Sequence, residues 1–142
     1  MILYLDTSAL IKFYLDEPHS DSVHTWVRTA DLLATSRVTL TEAAAAIGRH
    51  HRTSSISRKE RDRVVEALLT DWPTYIAVEL HERQAAVLAV ERGLRGFDAI
   101  QLLAALTVKR GAGAEDLVFS SFDVALNRAA RAEGLTVLEP LD

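Results

Sequence analysis

Five short apolar runs, separated by amphipathic stretches of helical length, constrain this chain more than any other feature. The runs are Ile2–Leu5, Leu32–Thr35, Tyr75–Val78, Leu117–Phe119 and Thr136–Leu138. Each is too short for a helix, which fits a buried strand. Between them, apolar residues recur at i, i+3, i+4 and i+7, as in Val23, Trp26, Val27 and Ala30. That is the stripe of a helix lying on a core. Strands alternating with helices build a parallel sheet, because parallel neighbours need a crossover and the helix makes it. The expected fold is α/β: a three-layer α/β/α sandwich around a central, mostly parallel sheet of about five strands. The 142 residues fit one domain.

The punctuation agrees with these boundaries. Asp6-Thr7-Ser8 follows the first run and supplies helix-capping side chains. A helix through Leu10–Leu15 then stops near Asp16-Glu17-Pro18. Leu40, Ala43, Ala44 and Ile47 mark a helix ending around Gly48–His51. Ser57 and Glu60 form a capping box for a helix carrying Val65, Leu68, Leu69 and Trp72, which Pro73 stops. Helices over Glu82–Arg92 and Phe97–Arg110 precede the fourth run, and a helix over Asp123–Glu133 is closed by Gly134. No repeat, linker or low-complexity segment interrupts the pattern.

Composition excludes several classes. The chain has no cysteine, so disulfide frameworks and thiolate metal sites are excluded. No apolar run approaches the roughly 20 residues of a membrane span, and the N-terminus lacks the pattern of a signal peptide. A cytoplasmic protein is expected. The net charge of −4 rules out a globally basic nucleic-acid binder. Charge is nonetheless uneven: Arg49, Arg52, Arg58, Lys59, Arg61 and Arg63 face only Glu60 and Asp62 over one short stretch. That stretch could steer phosphates or contact a partner, or be a solvated loop and helix start. Aromatic residues are 6% of the chain, too sparse for a platform of stacked rings.

In open α/β sheets, ligands bind beyond the carboxyl ends of the strands. Asp6 ends the first strand, and Asp123 lies just beyond the fourth. Glu42 is in the helix after the second, and Asp98 opens a helix after the third. Several acids could thus meet at one rim. Each also has a plainer reading: Asp6, Asp98 and Asp123 as helix-start residues, and Glu42 as a helix residue opposite the Leu40/Ala43/Ala44/Ile47 stripe. Thr7, Ser8 and Ser121 could hydrogen-bond a carboxylate or cap a helix.

The order of these motifs adds to that reading. Leu5-Asp6-Thr7-Ser8-Ala9-Leu10, Thr41-Glu42-Ala43, Gly96-Phe97-Asp98-Ala99-Ile100-Gln101-Leu102 and Phe119-Ser120-Ser121-Phe122-Asp123 resemble, in sequence order, the four motifs of PIN-domain ribonucleases. The resemblance runs from Leu3 to about Leu138. Size and layout look most like VapC-type toxins of toxin–antitoxin pairs. The resemblance implies a PIN-like fold and an endoribonuclease whose site acids are Asp6, Glu42, Asp98 and Asp123. It also implies cleavage leaving a 5′-phosphate and a 3′-hydroxyl, a small antitoxin whose C-terminal segment blocks the site, and a homodimer. Four gathered carboxylates repel one another and favour protonation unless a cation is present. Mg²⁺ or Mn²⁺ suits such oxygens. By position, Asp6 and Asp98 are expected as direct metal ligands and Asp123 as a ligand directly or through water. Glu42 would position the attacking water or bind a second metal. Thr7, Ser8 and Ser121 would support them.

Other signals carry less. His50 and His51 point about 100° apart on a helix, and His81-Glu82 lacks the second His of a zinc protease. Gly111-Ala112-Gly113 reads as a helix end. A haloacid-dehalogenase-like phosphatase needs a second Asp where Ser8 stands, and a receiver domain needs an acidic pair that Asp6-Thr7 does not supply. The competing reading is a PIN-fold RNA- or protein-binding module with inert acids. Phe13, Tyr14, Val23 and Trp26 could line an antitoxin groove or belong to the core.

Overall fold

The central strand is the first. In the computed structural model, which describes residues 1–113 and 115–141, β1 (Ile2–Leu5) pairs with β2 (Leu32–Ser36) on one side and β4 (Leu117–Ser120) on the other. β3 (Ile76–Val78) and β5 (Thr136–Val137) extend the two edges, giving the order β3-β2-β1-β4-β5 with every pairing parallel. The sheet is therefore wholly parallel, slightly beyond the mostly parallel expectation.

This order decides where the helices lie. α1 (Thr7–Tyr14), α2 (Ser20–Thr29), α3 (Val38–Arg52) and α4 (Arg58–Asp71) connect strands that step outward from β1 to β3. α5 (Glu82–Arg92), α6 (Gly96–Ala112) and α7 (Val124–Ala132) belong to connections that step the other way. Crossovers between parallel strands are right-handed, so reversing the step moves the helices to the opposite face. Two cores result. Leu3 and Leu5 point into one with Leu10, Val23, Ile47 and Leu68, whereas Ile2 and Tyr4 point into the other with Leu102, Phe119 and Leu126. All of β1 is buried, as a central strand covered on both faces must be.

Local chemistry fixes the helix ends. Asp6, Ser57 and Asp123 are side-chain N-caps, accepting from the N–H groups of Ala9, Glu60 and Leu126. Gly113 follows α6 at φ 76°, a left-handed conformation that glycine adopts without a Cβ penalty. α1 starts earlier than the apolar stripe suggests because Asp6 itself is the cap. Among the candidate docking residues, Val23 is fully buried, and Phe13, Tyr14 and Trp26 pack against the α1–α4 core. The Tyr14 hydroxyl is also bonded to Asp71 and Tyr75. Phe13 and Tyr14 also line an open pocket of about 580 Å³ together with Leu15, His24 and Arg63, whereas Val23 and Trp26 do not reach it.

Candidate active site

The strand order turns back between β1 and β4, and the cleft opens there. The two strands end level, with Leu5 opposite Ser120 and the Asp6 N–H donating to the Ser120 carbonyl at 3.1 Å. The Ser120 and Thr35 hydroxyls donate to the Tyr4 and Leu5 carbonyls, both at 2.7 Å, and so tie the three central strands together at this end. The chain then leaves β1 through Asp6 and β4 through Ser121–Asp123. Both acids are held at the same rim by the register. This is the switch-point crevice in which open α/β sheets bind ligands.

Asp6, Glu42, Asp98 and Asp123 all line one open cleft of about 420 Å³. Asp6 forms its floor and is 4% exposed. Its Oδ1 accepts from the Ala9 N–H at 2.9 Å and the Ser8 hydroxyl at 2.7 Å. Burial, opposed by hydrogen bonds from Ser121, Ser8 and Ala9 and reinforced by the Asp98 charge, leaves this carboxyl raised to about 6. The Ser8 oxygen also accepts from the Phe122 N–H, and the Ser121 oxygen from the Asp123 N–H. The two serines thus join the ends of β1 and β4 through the same hydroxyls that hold the acid. Neither serine is itself a helix cap; the caps of α1 and α7 are Asp6 and Asp123.

Glu42 reaches the cleft from α3. Its Oε1 accepts from the Thr7 hydroxyl at 2.8 Å and the Gln101 side-chain amide at 3.2 Å. Gln101 also donates to Thr7 and Thr39 and accepts from the Tyr4 hydroxyl at 2.6 Å. Burial keeps the Tyr4 phenol protonated, so it remains a donor to this amide. The buried Gln101 therefore links the core to the face presenting Glu42. Sequence reasoning quoted Gln101 in a motif without a role, although Asp98 and Gln101 are one helical turn apart on α6 and share a face.

Asp98 and Asp123 share a cation. Arg95, at the N-terminus of α6, places Nε 2.9 Å from Asp98 Oδ2 and a terminal nitrogen 2.8 Å from Asp123 Oδ2. The guanidinium side chain is 77% exposed, against 18% and 28% for the two acids. Sequence reasoning missed this arginine; the i, i+3 spacing to Asp98 was its only signal. The opposite wall carries Lys12 and His50, both within ion-pair distance of Glu17, at 3.3 and 3.0 Å. Of the basic stretch Arg49–Arg63, only Arg49 and His50 line the cleft. His51 turns away toward the Ile56 carbonyl.

The donor set is carboxylate and hydroxyl oxygen, the chemistry of a hard divalent cation. Among the described residues, no three carboxylates or histidines are drawn into a ready-made metal cage. Mg²⁺ keeps several of its own waters and needs only one or two carboxylates directly. The residues therefore fit such an ion, with Arg95 balancing part of the negative charge.

A match to the PIN domain family covers residues 3–132. The chain belongs to the PIN-domain family. Within it, the chain is 30% identical over 139 residues to Ribonuclease VapC45 and Ribonuclease VapC49, both from Mycobacterium tuberculosis, covering 96% of this chain and 94% of each relative. This is a VapC-type relationship over nearly the full length. The fold is also that of solved structures at lower identity. PAE2754 from Pyrobaculum aerophilum matches with a TM-score of 0.65 at 23% identity, over 96% of this chain and 82% of that one. FitAcB from Neisseria gonorrhoeae matches with a TM-score of 0.66 at 16% identity, over 99% and 98%. Among the described residues, no helix is long and apolar enough to cross a membrane.

Proposed function

We propose that the chain is a Mg²⁺- or Mn²⁺-dependent endoribonuclease, acting in the cytoplasm as the toxin of a type II toxin–antitoxin pair. Residues 1–142 act as one nuclease domain, working as a homodimer held inactive by a cognate antitoxin. The observation that carries this reading is the convergence of Asp6, Glu42, Asp98 and Asp123 on one cleft at the sheet's switch point. The ribonuclease names of the two VapC relatives support it.

Asp6 and Asp98 would hold the cation directly, with Asp123 a ligand directly or through water. When bound, a divalent ion supplies charge neutralisation at the phosphodiester and a more acidic water. The chain's residues do the rest. Glu42, aimed by Thr7 and Gln101, accepts a proton from the attacking water or orients it. Ser8 and Ser121 keep Asp6 in place. Arg95, displaced from its two acids, is within reach of a phosphate oxygen at the same mouth. The expected products carry a 5′-phosphate and a 3′-hydroxyl.

The test is cleavage of a labelled single-stranded RNA in millimolar Mg²⁺, with and without EDTA. Asp98→Asn should remove cleavage while leaving the circular-dichroism spectrum and melting behaviour of a folded protein, because an amide cannot replace a charged ligand. Cleavage at the wild-type rate by this variant would remove Asp98 from the site. No cleavage of any RNA by the wild type, with RNA binding intact, would favour an inert binding module on the same fold.

A further inference from the structure

Phe97 is the cleft residue that the hydrolytic reading leaves without a task. It directly precedes Asp98 on α6 and lines the same cleft, yet the residue is 57% exposed. Among the described residues it belongs to neither apolar core. The cleft's other ring, Phe122, is already engaged. Trp26 and His19 stack on it with centroids 6.1 and 5.7 Å away, and the Lys12 ammonium lies 4.7 Å from its centroid. Phe97 has no such partner among the described residues and presents its ring to the cleft's mouth.

The surroundings restrict what that ring could meet. Arg95 stands two residues before it, and Arg49 and His50 line the same cleft. A ligand that satisfies cations at the rim and a flat apolar surface beside them must carry negative charge and a planar ring close together. Each nucleotide of a single strand does so, with its phosphate and its unpaired base. A duplex buries its base faces in the stack and cannot offer one. One exposed ring fits one base, which is consistent with the low aromatic content.

The geometry points to Phe97 as a stacking site for a single unpaired nucleobase next to the phosphate held over the four acids. This deepens the ribonuclease reading and rests on it. It also assigns a task to the residue before Asp98 that no chemistry at the metal requires.

The experiment measures binding, not turnover. Fluorescence anisotropy of a labelled ten-nucleotide single-stranded RNA is followed in Ca²⁺ and, separately, in EDTA. Wild type is compared with Phe97→Ala, Phe97→Leu, Phe97→Tyr and the remote surface variant Val90→Ala. Phe97→Ala should bind roughly tenfold more weakly, the loss expected for one stacked base. Phe97→Leu should lose nearly as much, whereas Phe97→Tyr and Val90→Ala should stay within about twofold of wild type on the same scale. A ribose–phosphate oligomer of equal length without bases should bind wild type and Phe97→Ala equally. Unchanged RNA affinity in Phe97→Ala overturns the proposal and leaves the ring to a protein partner. Equal losses on RNA and on the base-free oligomer overturn it too, since the effect would then be electrostatic or structural. If wild type binds RNA but never cleaves it, the ribonuclease reading fails while the stacking site stands. If wild type binds no RNA in either buffer, both fail.

Discussion

Asp6 does two jobs that oppose each other. It caps α1, and it is a buried carboxyl whose environment pushes it from 3.8 up to about 6. The folded state therefore holds this proton more tightly than the unfolded chain does, and between pH 4 and 6 stability falls as pH rises. Above that window the ionised group costs on the order of 3 kcal/mol in the metal-free protein. Asp6→Asn keeps an oxygen to cap α1 and removes the charge. Its metal-free melting temperature should exceed that of wild type at pH 8, and the gap should close near pH 4. A wild type at least as stable at pH 8 would contradict this, as measured by thermal melts in EDTA. Arg95 gives a second test at this scale. It is the cation that bridges Asp98 and Asp123 in the metal-free cleft, and its exposed ion pairs are cheap to break. Arg95→Gln should lower the Mn²⁺ concentration needed for half-maximal thermal stabilisation. An increase in that concentration would show that the arginine supports the metal ligands instead of competing for them.

The helices divide into those that hold the cleft and those that only cover the sheet. α1, α3 and α6 bring Asp6, Glu42, Asp98 and Gln101 together, whereas α4 packs its Val64 and Leu68 at a distance from every site acid. Ser57, accepting from the Glu60 N–H at 3.0 Å, caps α4. Ser57→Ala should cost about 1 kcal/mol and lower the melting temperature by about 2–4 °C. RNA cleavage measured well below that temperature should be unchanged. A change in the cleavage rate would mean that α4 is coupled to the site through α3. Element positions were legible because they depend on neighbours along the chain. Apolar spacing and the Asp6, Ser57 and Gly134 signals are all local. The ends were less so: α3 runs on to Arg52, past the last apolar residue of its stripe, because a helix continues while its backbone bonds are made.

For the whole molecule, folding and the acid cluster are linked. A cation that binds only the assembled site raises stability in proportion to RT ln(1 + [M]/Kd), about 2.7 kcal/mol at one hundred times Kd. Millimolar Mn²⁺ should thus raise the melting temperature of wild type. It should do so far less for Asp98→Asn, which separates ligand loss from a general salt effect. An equal shift in both proteins would exclude Asp98 as a ligand.

The sequence alone determined the alternation of strands and helices, the capping residues and which acids follow strand ends. Each depends on residue type and spacing along a few turns of chain. It also carried the four family motifs in order. Only the tertiary structure decided which side chains share the cleft. The pairing of β1 with β4 brings Asp6 beside Ser121, across more than a hundred residues of chain. α6, on the other face of the sheet from α1 and α3, meets them at the strand ends, where Gln101 holds Glu42, and the turn before α6 sets Arg95 between Asp98 and Asp123. It also left Phe97 outside both cores, which its apolar character would not have foretold. These are contacts between distant segments, fixed by sheet order and helix packing, and no local pattern encodes them.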